Sequence, residues 1–204
     1  YTDSDSFVLT VNPVNDAPLL GALSNAETDE DIDFALTLTG SDVDGDALTY
    51  FAQVDGNGSA LVNGTALIVS PAADYNGDII VTVTVSDGQS NDVGTFILTV
   101  SAVNDAPVIA SIADQTIDED SYLTLELSAS DVDSSSLVFS ATNGNATITV
   151  DGTTLTVTPE SDYSGSSVIN VTVTDGNETD STSFTLTVNP VNDAPVLDGI
   201  ADGN

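Results

Sequence analysis

The chain has 204 residues, 33 of them Asp or Glu, and no Lys, Arg, His, Cys, Met or Trp, so its formal net charge is −33. Without a side-chain cation it has nothing to meet a phosphate or an anionic membrane surface, so neither nucleic-acid binding nor membrane insertion is expected. Ser–His and Cys–His nucleophiles, Schiff-base lysines, phosphate-clamping arginines and Cys/His zinc sites are excluded residue by residue, which leaves carboxylate, amide, hydroxyl and backbone chemistry.

In chain order, the first legible element is Phe7-Val-Leu-Thr-Val-Asn-Pro-Val-Asn-Asp-Ala-Pro18, a strand pattern running into a turn-rich linker. Its near copies follow at Phe96–Pro107 and Phe184–Pro195, and the Asn of Asn-Asp-Ala-Pro falls at 15, 104 and 192, giving periods of 89 and 88 residues. Between these copies the landmarks keep register. Asp29-Glu30-Asp31 answers Asp118-Glu119-Asp120, and Ser41-Asp42-Val43-Asp44 answers Ser130-Asp131-Val132-Asp133. Asp74-Tyr75-Asn76-Gly77 answers Asp162-Tyr163-Ser164-Gly165, and Val85-Ser86-Asp87-Gly88 answers Val173-Thr174-Asp175-Gly176. Two whole repeats are therefore expected at 17–105 and 106–193. Residues 1–16 read as the last strand and linker of a preceding repeat, and 194–204 as the opening of a following one.

Within each repeat the elements read as about seven short strands. Tyr122–Leu127, Val168–Val173 and Phe184–Val188 alternate with period two, and no stretch holds a helical period. Asn63-Gly64 and Asp151-Gly152 read as two-residue hairpin turns that need positive φ. Tyr75 and Tyr163 stand just before the sixth strand, where a buried ring with its hydroxyl on nearby backbone is the expected role. Phe7, Phe34, Phe96, Phe139 and Phe184 sit in core-facing positions of strand patterns. Val, Leu, Ile and Phe number 24, 17, 11 and 6, above the share at which acidic chains stay disordered. Seven strands in so short a repeat match the size of an immunoglobulin-like sandwich, with a helix-poor barrel as the weaker competitor.

The acids recur at fixed places, and a chain without cations must borrow positive charge. Ca²⁺ takes six to eight oxygen ligands from carboxylates, amides, carbonyls and water in irregular loops, whereas Mg²⁺ demands a tighter octahedron. Alternate acids in a turn, as in Asp42-Val-Asp44 and Asp131-Val-Asp133, can converge on one ion.

On these residues the repeat resembles the cadherin-like domains of large bacterial surface proteins, including the long RTX-type adhesins, and more distantly animal cadherin repeats. The resemblance covers essentially the whole chain. It implies an all-β fold of two tandem seven-stranded Greek-key immunoglobulin/cadherin-like sandwiches arranged as an elongated rod, with Ca²⁺ at the junction of consecutive domains. It assigns Glu30, Asn104, Asp105, Asp131, Asp133 and Asp175 to the junction between the repeats. The preceding junction retains Asn15, Asp16, Asp42, Asp44 and Asp87. The following one retains Glu119, Glu160, Asn192 and Asp193. The family's acidic residue before the sixth strand is Ala72 in the first repeat, where Asp74 is placed to compensate in part, and the second Asn of its linker is Ala17, Ala106 and Ala194. One or two ions per junction are expected in place of a full set of three.

The implied function is that of a Ca²⁺-stiffened spacer in an extracellular surface adhesin, with the neighbouring repeats of the same chain as its partners. Two other readings remain: a carbohydrate or homophilic binding module, and a filament or sheath subunit pairing with like chains through edge strands such as 7–11. Asp42-Val-Asp-Gly-Asp46 resembles the start of an EF-hand loop but has Gln53 at the twelfth position and strands around it. The sequons at Asn57, Asn63, Asn145, Asn170 and Asn177 are what an Asn-, Ser- and Thr-rich chain produces by chance. Paired carboxylates can serve a glycosidase, but one copy per repeat at linker-like positions reads as structural ligands, so no enzyme is expected.

Overall fold

A computed structural model describes residues 1–143 and 146–195, and the chain divides into two units, 1–103 and 104–204. The Asn145 sequon and, from residue 196 on, the opening of a further repeat lie outside the described residues. Both units are all-β immunoglobulin-like sandwiches.

The first unit holds β1 (Leu19–Leu20), β2 (Ala26–Asp29), β3 (Phe34–Thr37), β4 (Gly40–Ser41), β5 (Thr49–Val54), β6 (Gly58–Asn63), β7 (Ala66–Pro71), β8 (Gly77–Ser86) and β9 (Asn91–Ser101). The order β2-β9-β8-β5 makes one sheet and β3-β7-β6 the other, while β1 and β4 form a two-residue ladder. Seven principal strands thus match the sequence expectation, and the extra two come from interruptions of the first and second. The second unit repeats the plan with β10 (Val108–Ile109), β11 (Gln115–Asp118), β12 (Leu123–Glu126), β13 (Ala129–Ser130), β14 (Val138–Thr142), β15 (Ala146–Asp151), β16 (Thr154–Pro159), β17 (Gly165–Thr174) and β18 (Thr179–Asn189). Its sheets run β11-β18-β17-β14 and β12-β16-β15.

Alternation sets the core. In β8, Ile79, Val81, Val83 and Val85 are fully buried, and in β17 Ile169, Val171 and Val173 are too. Each strand turns one set of β-branched side chains inward and the other to solvent. Phe96, Phe139 and Phe184 are buried, and Phe34 packs on Phe96 with ring centroids 6.0 Å apart. Phe7 departs from expectation. It is 87% exposed, and residues 1–18 form no strand. A strand exists through its ladder, and among the described residues no partner strand meets this segment.

The first strand of each unit crosses between sheets, and side chains take up the backbone donors left by the crossing. Asp92 Oδ2 accepts the Leu20 N–H at 2.8 Å and Asn25 Oδ1 the Ile97 N–H at 2.9 Å. In the second unit Asp180 Oδ2 serves Ile109 and Asp114 Oδ1 serves Thr185, at 2.9 and 2.7 Å. Some of the acids are therefore acceptors that complete the ladder, since an unpaired donor is costly to bury.

The hairpins sit one residue later than expected. Asn63 pairs with Ala66 and Asp151 with Thr154, so the turns are Gly64-Thr65 and Gly152-Thr153. Only the glycines have positive φ, 62° and 60°, which suits a turn with Gly at its first central position. The tyrosine expectation holds for the hydroxyls, while the rings are half-buried and not buried. The Tyr75 hydroxyl donates to Asp78 O at 2.9 Å and that of Tyr163 to Ser166 O at 3.2 Å, with both rings packed against their cores.

Candidate metal centres at the domain ends

Each unit gathers acidic loops at two places. The first lies where the incoming linker meets the loops after β4 and β8. Asp42 Oδ1 accepts the N–H groups of Asp44, Gly45 and Asp46 at 2.9, 3.0 and 3.3 Å, which closes the turn upon itself. Asp44 Oδ2 in turn accepts the Asp16 N–H at 2.8 Å, fixing the linker. Asn15 donates from Nδ2 to Asp87 Oδ2 at 2.9 Å, and Gln89 Nε2 donates to Asn15 Oδ1 at 2.8 Å. All five residues expected for the first half-junction therefore come together. Asp46 joins them, with carboxylate oxygens of Asp42, Asp44 and Asp46 all within 4.8 Å of one another.

The second unit repeats this arrangement. Asp131 Oδ1 accepts from Asp133 and Ser134 N–H at 2.9 and 2.6 Å, and Asp133 Oδ2 accepts the Asp105 N–H at 2.7 Å. Asn177 Nδ2 donates to Asn104 Oδ1 at 2.9 Å, beside Asp175. Asn104, Asp105, Asp131, Asp133 and Asp175 are thus held by one network of loop hydrogen bonds.

At the other end of each strand set, the carboxylate that follows β2 or β11 is buried. Glu30 is 4% exposed and Glu119 8%. Glu30 Oε1 accepts the Val103 N–H and Glu119 Oε1 the Val191 N–H, each at 2.5 Å, so each anchors the outgoing linker of its own unit. The next residue in each case, Asp31 or Asp120, is left-handed, as are Asp74 and Asp162, with φ between 56° and 60°. Asp is among the few non-glycine residues that tolerate this region. Asp74 N–H donates to Asp31 Oδ1 at 3.2 Å. Carboxylate oxygens of Asp120, Asp162 and Asp193 lie within 4.8 Å of one another. Asn192 Nδ2 donates to Asp193 O at 3.0 Å. Glu160 does not join this group. It is exposed, its carbonyl accepting the Tyr163 N–H at 3.2 Å, and Asp162 supplies the carboxylate instead. Asp31, Asp46, Asp120 and Asp162 escaped the sequence assignment, although the recurring Asp-Glu-Asp and Asp-Tyr landmarks contained three of them.

The donor set fits a hard divalent cation. Glu30 Oε2, Asp42 Oδ2, Asp131 Oδ2 and Asp175 Oδ2 are buried and have no hydrogen-bond partner. A buried carboxylate oxygen without a donor is costly, and no Lys or Arg exists to neutralise it. Every other ligand on offer is a carboxylate, amide or carbonyl oxygen, which is the chemistry of Ca²⁺.

Two of these acids titrate abnormally. The Ser90 N–H, then the Asn15 amide and the Gln89 N–H, hold Asp87 below the usual carboxylate range, and the Glu178 and Asn177 N–H groups do the same for Asp175. A folded-state value below the unfolded one stabilises the fold above the unfolded pKa of ~3.9, and that contribution disappears as pH falls through the folded value. Without Ca²⁺, acid unfolding is therefore expected to begin at higher pH in D87N and D175N than in the parent, because the neutral amide lacks the stabilisation that the ionised carboxylate supplies above its folded value, as read by circular dichroism along a pH titration.

The Bacterial Ig domain family matches the sequence at residues 15–100 and 104–189, once in each unit. A chitinase A from Pseudoalteromonas piscicida is 28% identical over 78% of this chain, which spans only 20% of that enzyme. Among solved structures, the first two extracellular cadherin domains of human protocadherin-24 resemble this chain with a TM-score of 0.53 and 19% identity, covering 85% of this chain and 99% of that one. An endo-fucoidan hydrolase of glycoside hydrolase family 107 has a TM-score of 0.40 at 20% identity, over 85% of this chain and 29% of its own. The likenesses to solved structures concern the fold alone.

Proposed function

The chain belongs to the Bacterial Ig domain family, and from that premise we propose that it is a non-catalytic, calcium-binding spacer segment of an extracellular surface adhesin. The observation that carries this reading is the set of buried carboxylate oxygens without donors at the linker-facing loops of both units. In this reading Asn15, Asp16, Asp42, Asp44 and Asp87 form the half-cage at the start of the first domain, and Asn104, Asp105, Asp131, Asp133 and Asp175 that of the second. Glu30 with Asp31 and Asp74 in the first domain, and Glu119 with Asp120, Asp162, Asn192 and Asp193 in the second, offer further oxygen ligands beside the outgoing linker of their own domain. The bound ion supplies positive charge that the chain lacks. The protein's own part is to fix the loops. The turn acids spend one oxygen on backbone N–H groups, and where the other oxygen is buried without a donor it is left for the ion. Because the linker residues share these networks, ion binding and linker order are coupled, and tandem repeats become a stiff extension that holds other modules away from the cell.

Calorimetric titration with Ca²⁺ and small-angle scattering with and without chelator test this. Heat of binding and a maximum dimension that falls or broadens on chelation are expected. No heat, or an unchanged scattering profile, overturns the reading.

A further inference from the structure

The two units follow one plan, yet their outer faces differ. On the sheet formed by β5, β8 and β9, the outward row Phe51–Thr84–Val93 is followed by Gln53–Thr82–Thr95 and then by the pair Ile80–Ile97. Phe51 is 62% exposed, Val93 52%, Ile80 48% and Ile97 37%. In the second unit the same register positions carry Ser140–Thr172–Ser181, then Thr142–Asn170–Ser183, then Val168–Thr185. The second sandwich folds with hydroxyls (Ser140, Ser181 and Thr185) where the first exposes Phe51, Val93 and Ile97, so these three apolar residues are not required by the fold, while Val168 keeps an exposed aliphatic at the position of Ile80.

The occupant follows from charge, chemistry and size. None of the eight side chains of the three rows is charged, although the chain carries 33 acids and no base. A polyanion is repelled by the surrounding charge and finds no cation to hold it. The face offers a flat ring and aliphatic side chains beside the Gln53 amide and the Thr82, Thr84 and Thr95 hydroxyls. These can serve both the C–H faces and the hydroxyl groups of a sugar chain. With strands ~4.8 Å apart and a rise of ~3.4 Å per residue, the strip is about 10 Å wide and 14 Å long. That is under about a fifth of the ~800 Å² per partner in a stable protein interface. It suits an extended chain better than a second copy of a strongly negative protein. We propose that the outer β5-β8-β9 face of the first domain, centred on Phe51, binds an uncharged polysaccharide.

The test is depletion of the full chain, at fixed Ca²⁺, by insoluble cellulose, chitin and mannan, with alginate beads as the anionic control. The variants F51S and V93S, combined, install the residues that the second domain carries at these positions, and thermal melting checks that the fold is kept. Q53A removes the amide alone and leaves the apolar surface. Binding to at least one neutral glycan and none to alginate is expected, at least tenfold weaker in the double variant and severalfold weaker in Q53A. The proposal is overturned by no depletion on any neutral glycan, or by undiminished binding in the variants. It is also overturned if sedimentation shows a dimer that the double variant converts to monomer, which assigns the face to a second copy. None of these outcomes depends on whether the end loops hold Ca²⁺.

Discussion

Raising Ca²⁺ to about one hundred times its dissociation constant is expected to stabilise a domain by ~2.7 kcal/mol per ion, because a ligand that binds only the folded state adds its binding free energy to folding. For a domain of this size each kcal/mol moves the melting temperature by roughly 4–8 °C, so a shift of roughly 10–20 °C is expected for each ion bound. Part of the gain is relief. Asp120, Asp162 and Asp193 bring carboxylates within 4.8 Å in a chain that has no basic side chain to offset them, and Asp42, Asp44 and Asp46 do the same. Screening by monovalent salt relieves some of that repulsion but cannot coordinate a buried oxygen such as Asp131 Oδ2. The comparison is therefore calorimetric melting in Ca²⁺, in Mg²⁺ and in NaCl of matched ionic strength. Ca²⁺ should give the largest shift, Mg²⁺ a smaller one and NaCl a few degrees at most. Equal shifts in all three would reduce the acidic loops to diffuse charge.

What the sequence discloses about this fold depends on whether an interaction is local. The period-two runs Val168–Val173 and Phe184–Val188 announce strands because alternation and β-branching are carried in the residues themselves. Phe7–Val11 carries the same pattern and forms none, since pairing belongs to the partner and not to the pattern. The hairpins at Gly64 and Gly152 were legible to within one residue. Their exact register is fixed by cross-strand pairs such as Val62 with Leu67, which bury one side chain and not its neighbour.

The half-cages divide in the same way. Asp42, Asp44, Asp131 and Asp133 are close in sequence, so their convergence in one turn was readable from spacing. The left-handed aspartates were not. Within Asp29-Glu30-Asp31 nothing local says that Glu30 goes inward and that Asp31 takes φ of 59°. That is decided by the Glu30 N–H bonding to Ser101 O, which extends the parallel β2–β9 pairing by one residue and turns the chain after it. Glu160 and Asp162 show the same limit, because the turn after β16 settles which acid reaches Asp120.

The most diagnostic single substitution is E30Q, because its effect on stability is expected to change sign with Ca²⁺. Glu30 Oε1 accepts the Val103 N–H, an acceptor role that the glutamine carbonyl preserves. Oε2 is buried without a donor, so in chelator the carboxylate is a charge held out of water and uncompensated. Exchanging it for a neutral amide of the same shape removes the charge penalty and leaves only the smaller cost of an unpaired amide. E30Q is expected to be more stable than the parent in EDTA by about 1 kcal/mol, within the range of costs for unsatisfied buried groups. With Ca²⁺ present the same oxygen is a ligand. Its loss should weaken binding at least tenfold, about 1.4 kcal/mol, and turn the gain into a deficit. Urea denaturation of parent and variant in EDTA and in saturating Ca²⁺ reads both arms. A purely structural Glu30, needed only to tie down the linker, would give E30Q the same sign in both conditions, since Gln still accepts the Val103 N–H. Opposite signs require that the buried oxygen be a burden without the ion and a ligand with it.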